Sequence, residues 1–149
     1  MKKIIYINLI VIISLVYELY KYHPYQSLYF NNLINEKYVK KFQVDSPSLS
    51  RSDALRFVAQ DSQSKKIYIA NTSWTPLHNG KDMLIEEDKK KFVFVGQEVE
   101  LAEYIYTNNI YKSDEKFNKR YKIPSNFEKI VEYKKDNFEI YSIFKKKIN

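Results

Sequence analysis

A chain of 149 residues with a formal net charge of +7, no cysteine, two glycines and fourteen tyrosines has room for one folded domain of ordinary size. The absence of cysteine excludes disulfide stapling and thiolate metal sites, and says nothing about compartment. Gly80 and Gly96 lie outside any G-x-G-x-x-G or G-K-S/T pattern, so phosphate-cradling nucleotide folds are excluded as well.

The first element is apolar. From Ile4 to Tyr17 there is no formal charge, and only Asn8 and Ser14 are strongly polar. Extended to Tyr20 the run predicts a helix of about 25 Å at 1.5 Å per residue, just short of a hydrocarbon core of about 30 Å. The sequence therefore predicts a membrane anchor over residues 1–21. The alternatives are a secretory signal peptide and a buried soluble helix. Against a cleaved signal, Tyr17-Glu18-Leu19-Tyr20-Lys21-Tyr22 follows the apolar run, where small residues of the A-x-A kind would be needed. Lys2 and Lys3 precede it, so the positive-inside bias predicts a cytoplasmic N-terminus and an extracytoplasmic C-terminal domain at the plasma (inner) membrane.

Next comes an aromatic stretch, residues 22–31. Tyr17, Tyr20, Tyr22, His23, Tyr25, Tyr29 and Phe30 combine apolar bodies with polar tips and suit the headgroup region as an aromatic belt. Pro24 cannot donate a backbone hydrogen bond and disfavours helical angles at His23, so the helix is expected to kink or end there.

Residues 32–149 are predicted to form an α/β or α+β domain, a small mixed sheet of about five strands with two or three helices. Ser50 and Asp53 resemble a capping box, and Ala54, Phe57 and Val58 recur at helical spacing through Arg51 to Asp61. Lys66 to Ala70 and Phe92 to Val95 read as buried strands. Between them, Thr75 to Lys90 carries an acidic-then-basic run from Glu86 to Lys91 that suits the dipole of a helix, giving a βαβ-like unit. Ala102 to Asn108 reads as a third strand, and the loop from Asn108 to Lys122 has room for one helical turn beginning at Ser113. Phe127 to Tyr133 and Phe138 to Phe144 flank a turn at Lys134 to Asn137 and read as a closing hairpin.

The string Tyr22-His23-Pro24-Tyr25-Gln26-Ser27-Leu28-Tyr29-Phe30-Asn31 resembles a "HPYQ-x-x-YFN" pattern at one point of the GT-C membrane glycosyltransferases, the polyprenyl-phosphate-sugar-dependent family that includes protein mannosyltransferases. That point is the juncture between the last transmembrane helix and the extracytoplasmic C-terminal domain. Phe42-Gln43-Val44-Asp45 before the helix is similar to the family's "FE-x-DYWG-x-S", with its tyrosine, tryptophan and glycine replaced around Ser46, Pro47 and Ser48; Ala54 and Leu55 match the following "AL". Ala102 to Asn108 looks like its "ADYV-x-TN" strand, and the closing hairpin looks like its usual ending. The resemblance is specific at residues 22–31 and loose elsewhere.

The resemblance implies glycosyl transfer from a lipid-linked sugar, with the essential acidic residue in a first extracytoplasmic loop upstream of the matched region. These 149 residues are therefore expected to lack the base that positions the acceptor, and to be non-catalytic on their own. A fragment, a split subunit and a truncated product all fit. His23, Tyr25, Gln26, Tyr29 and Asn31 are the candidates for contact with the membrane interface, a lipid-linked sugar or neighbouring catalytic helices; the structural alternative is that they end the helix and dock the domain. No catalytic residue, cofactor or metal ligand is expected, since His23 and His78 stand apart and Glu86, Glu87 and Asp88 abut Lys89 to Lys91. The partner is the membrane, whose anionic headgroups suit Lys21, Lys37, Lys40 and Lys41; nucleic acid is not expected, because acidic and basic residues alternate along the chain. The competing function is an independent single-pass anchored protein whose periplasmic domain binds a partner.

Overall fold

In a computed structural model of the protein, the residues described are 2–25, 49–73, 75–108, 122–135 and 138–147. Helix α1 spans Lys2–Tyr22, 21 residues. That is about 32 Å at 1.5 Å per residue, enough to cross a hydrocarbon core of about 30 Å. The segment Lys3–Tyr22 has a mean hydropathy of 1.7 and none of its most apolar window is buried against protein. By length and composition α1 can span a membrane, and a signal sequence near an N-terminus meets the same test. It ends where Pro24 requires it to, with the His23 amide bonded to the Tyr20 carbonyl at 3.2 Å.

The domain is α/β. Helix α2 covers Leu49–Asp61. Strand β1 is Ile67–Asn71, β2 Phe92–Phe94, β3 Tyr104–Asn108, β4 Phe127–Lys135 and β5 Phe138–Lys146. They form one mixed sheet in the order β2-β1-β3-β5-β4. β1 runs parallel to both β2 and β3, whereas β5 is antiparallel to β3 and β4. The βαβ-like unit and the closing hairpin are both present. The expected turn in the Asn108 to Lys122 loop, and the tip of the hairpin at positions 136 and 137, lie outside the described residues.

Register sorts the side chains into two faces. Ile69 pairs with Phe94 and Tyr104, Tyr106 with Ile143, and Tyr133 with Tyr141, so these residues share one face. α2 covers it with Ala54, Leu55, Val58 and Ala59, all buried. The opposite face carries Ala70, Ile105 and Phe144, packed with Phe127, Val95 and Val99. β4 is an outer strand, and its Glu and Lys side chains and two register irregularities, at Lys129/Val131 and Tyr133/Lys134, blunt it as an edge.

Two expectations are corrected. The single helix read over Thr75 to Lys90 is two pieces, a 3-10 segment Leu77–Met83 and a one-turn α3, Glu86–Lys89. Asn79 and Gly80 are poor helix formers, and Gly80 lies so close to α2 that a Cβ there would sit 2.7 Å from backbone and side-chain carbons of Arg51. The capping box is not made either. Ser50 lies inside α2, where its buried Oγ is 2.7 Å from the Tyr106 hydroxyl, and Asp53 turns to partners outside the helix start.

The two connections between parallel strands leave on opposite faces. From β1 to β2 the chain crosses on the α2 side, where Leu77 and Leu84 join the core. From β2 to β3 it crosses the other side, where Val95 and Val99 pack with Ala70 and Ile105.

Candidate functional site at the junction of helix and domain

The end of α1 is stitched into the domain by tyrosines. Tyr22 packs partly buried against the core, with the Lys21 Nζ 4.8 Å from its ring centroid. Three residues on, Tyr25 is only 1% exposed. Its hydroxyl donates a 2.8 Å hydrogen bond to Asp53 Oδ2 on α2. The other oxygen of that carboxylate accepts from Arg56 Nη1 at 3.1 Å, and Arg56 Nη2 donates to the Met83 carbonyl at 3.1 Å. One ion-paired carboxylate thus joins the junction, α2 and the crossover segment.

Beneath Tyr25 the rings continue in a row. Tyr25 and Tyr133 have centroids 5.8 Å apart, Tyr133 and Tyr141 5.4 Å, and Tyr141 and Tyr106 6.3 Å. These spacings are those of favourable aromatic pairs. The row ends on α2, through the Tyr106 contact with Ser50. Burial, reinforced by the nearby Asp53 carboxylate, pushes the Tyr141 phenol up to about 12.

Of the five candidate residues, the structure places two. His23 is exposed at the turn after α1, and Tyr25 lies in the domain's core with its hydroxyl engaged by Asp53. Gln26, Tyr29 and Asn31 lie outside the described residues, as do Phe42 to Ser48. Tyr17 and Tyr20 project from α1, 62% and 82% exposed. The partners of Tyr25 were not legible: Asp53 looked like part of a helix cap, and Tyr133 and Tyr141 are two tyrosines among fourteen until the hairpin register pairs them.

A second polar cluster lies at the other end of α2. Asp61 Oδ2 accepts from the Tyr104 hydroxyl and from Lys145 Nζ, each at 2.7 Å. Those two bonds hold the Asp61 carboxyl below its ordinary value. Burial and the Asp61 bond push the Tyr104 phenol up, and Asp61 does the same for the Lys145 ammonium. Every shift fixes the charge state found at neutral pH, the reverse of what a proton-transfer site needs. The cluster lines a groove of about 480 Å³ and ties α2 to β3 and β5.

Among the described residues, no group of three or more His, Cys, Asp or Glu side chains is placed to hold a metal ion. The acidic run on α3 is a solvated face, with Glu86 bridged to Lys89 and Asp88 to Lys91 at 2.7 Å each. No family model, no curated protein and no solved structure matches the chain, so its reading rests on its own residues.

Proposed function

We propose that the chain is the C-terminal extracytoplasmic module of a polyprenyl-phosphate-sugar-dependent membrane glycosyltransferase, non-catalytic by itself, with the catalytic carboxylate in an extracytoplasmic loop between other transmembrane helices. In this reading α1 is a spanning helix with Lys2 and Lys3 on the cytoplasmic side, and the domain stands on the outer face. The aromatic string from Tyr22 to Asn31 sets the angle and depth at which the domain meets the membrane.

The observation that carries the reading is the burial of Tyr25. A motif residue at the end of an apolar helix is a structural member of the domain that follows, so the helix and the described start of the motif, Tyr22 to Tyr25, pack with the domain, which supports the reading. The competing reading, an independent anchored binding protein, draws on the domain having a core of its own.

Glycosyl transfer separates the two. Membrane vesicles from cells lacking this chain, given a polyprenyl-phosphate sugar labelled in the sugar, are expected to lose transfer and to regain it with the wild-type chain but not with Tyr25→Ala. The purified chain alone is expected to transfer nothing. Undiminished transfer in vesicles lacking the chain contradicts the module reading.

A further inference from the structure

We propose that the crevice at the carboxyl ends of β1 and β2 binds an uncharged, hydroxyl-rich ring such as a pyranose. The first ground is topological. β1 and β2 are adjacent and parallel, and the connection leaving β1 crosses the α2 face while that leaving β2 crosses the opposite face. Where neighbouring parallel strands send their connections to opposite sides, the diverging loops leave a crevice at the strand ends, the general position of ligand sites in open α/β sheets. Here that crevice has a volume of about 250 Å³.

Its lining sets the class of ligand. The wall is apolar on one side, where partly exposed Phe94 is backed by the buried Ile69 and Leu77. The rim is amide, hydroxyl and imidazole, from Asn71, Ser73, His78 and Gln97. Among the described residues, none that lines it is Asp, Glu, Lys or Arg. A charged ligand would leave water without a counter-charge, whereas a ring with an apolar face and an equatorial fringe of hydroxyls matches the Phe94 wall and the polar rim together.

The rim is preorganised on one side. Asn71 Oδ1 accepts from the Ser73 amide at 3.0 Å and from Ser73 Oγ at 2.8 Å, and Asn71 Nδ2 donates to the Thr75 carbonyl at 2.6 Å. Ser73 and Thr75 are thereby tied to the end of β1. On the other side, Gly96 at φ 62° turns the chain sharply out of β2 and brings Gln97 to the edge. His78 and Gln97 are exposed, so they are the groups able to adjust to hydroxyls. The contrast with the Asp61 groove is one of charge, since Asp61 and Lys145 there already satisfy one another. The inference stands on strand geometry and lining; neither anchoring nor glycosyl transfer enters it.

The test is an NMR titration of the full chain in a sugar-free detergent, with methyl pyranosides as the probe and inorganic phosphate as the comparison. The expected result is a saturable shift of the Asn71, Gly96 and Gln97 amides with a millimolar dissociation constant, the Tyr104 and Lys145 signals staying still. His78→Ala and Gln97→Ala, both at exposed positions, are each expected to weaken binding by about tenfold, or about 1.4 kcal/mol, without altering the rest of the spectrum. No saturable shift with any methyl pyranoside overturns the proposal. So does a response of the same amides to phosphate alone, or undiminished binding by both variants.

Discussion

Tyr25 and Asp53, 28 positions apart in the chain, are joined by a 2.8 Å hydrogen bond from the phenol to the carboxylate, and this bond fastens the end of the apolar helix to the domain. The ring beside it is buried while the carboxylate is partly open to solvent and also holds Arg56. The contact therefore combines apolar burial with a charge-assisted hydrogen bond.

Removing only the hydroxyl isolates the second term. Tyr25→Phe is expected to destabilise the domain by about 1–2 kcal/mol, the cost of a hydrogen bond to a charged group discounted for exposure of the acceptor. Tyr25→Ala also leaves a cavity in the tyrosine row and is expected to cost about 3–5 kcal/mol. Chemical denaturation of the full chain in detergent, followed by tyrosine fluorescence, distinguishes the two. Equal stability of wild type and Tyr25→Ala would refute the docking role.

The two glycines make opposite demands. At Gly80 an added Cβ meets the Arg51 backbone carbon at 2.7 Å and the Ser52 nitrogen at 2.8 Å, so Gly80→Ala must push α2 away from the crossover segment. The expected loss is about 2–3 kcal/mol. Gly96 has open space around it and a φ of 62°, so Gly96→Ala is expected to cost only about 1 kcal/mol, through the backbone. Thermal melts of the two variants should rank Gly80→Ala as the worse; the reverse order contradicts the packing described.

Acid lability is expected at Asp61. Its folded value lies below the ordinary 3.8 because Lys145 and Tyr104 donate to it. A depressed carboxyl contributes stability that is fully present above the unfolded value and is lost as the pH falls through the folded one. The contribution should therefore begin to fade below about pH 4 and be lost as the pH falls through the lower folded value, and Asp61→Asn should flatten the stability curve there while costing about 1 kcal/mol at neutral pH. Urea midpoints measured from pH 2 to pH 7 test this.

At the alkaline end Tyr141 governs. Its phenol is raised from 10.0 to about 12 by burial first and by Asp53 and Tyr133 after it. A group raised in the folded state stabilises below its unfolded value and loses that contribution as the pH climbs through the folded one, here between pH 10 and about 12. Ultraviolet titration should show Tyr141 ionising late, and Tyr141→Phe should remove that step and resist alkaline unfolding better than wild type. Ionisation of all tyrosines near pH 10 in the folded protein would contradict the buried row.

Period and composition were enough for much of this architecture. Ile67 and Ile69, Phe92 and Phe94, and the Tyr133 and Tyr141 hairpin are short apolar or alternating runs bounded by polar residues, and each became the strand it resembled. The stretch from Thr75 to Lys90 misled because its dipole-matched charges suit any helix of any length, whereas close approach of Gly80 to Arg51 is a tertiary fact. Tyr25 left two readings open for a related reason. A phenol at the end of an apolar helix has the same composition whether its hydroxyl faces headgroups or Asp53, and only the position of α2 decides. The crevice beside Asn71 could not be read at all, since it exists only because two crossovers leave on opposite faces of the sheet.

The claim that a spanning helix carries this domain on the outer face of a membrane is tested most directly by labelling a single cysteine. The chain has no cysteine of its own, and Glu87 is exposed on α3, so Glu87→Cys gives one reactive thiol on a silent background. Intact cells expressing the full chain are treated with a membrane-impermeant maleimide, and the membrane fraction is then washed at alkaline pH. The account predicts labelled protein that stays in the washed membranes. Protein that is labelled only after the cells are broken, or that is released by the wash, would contradict it.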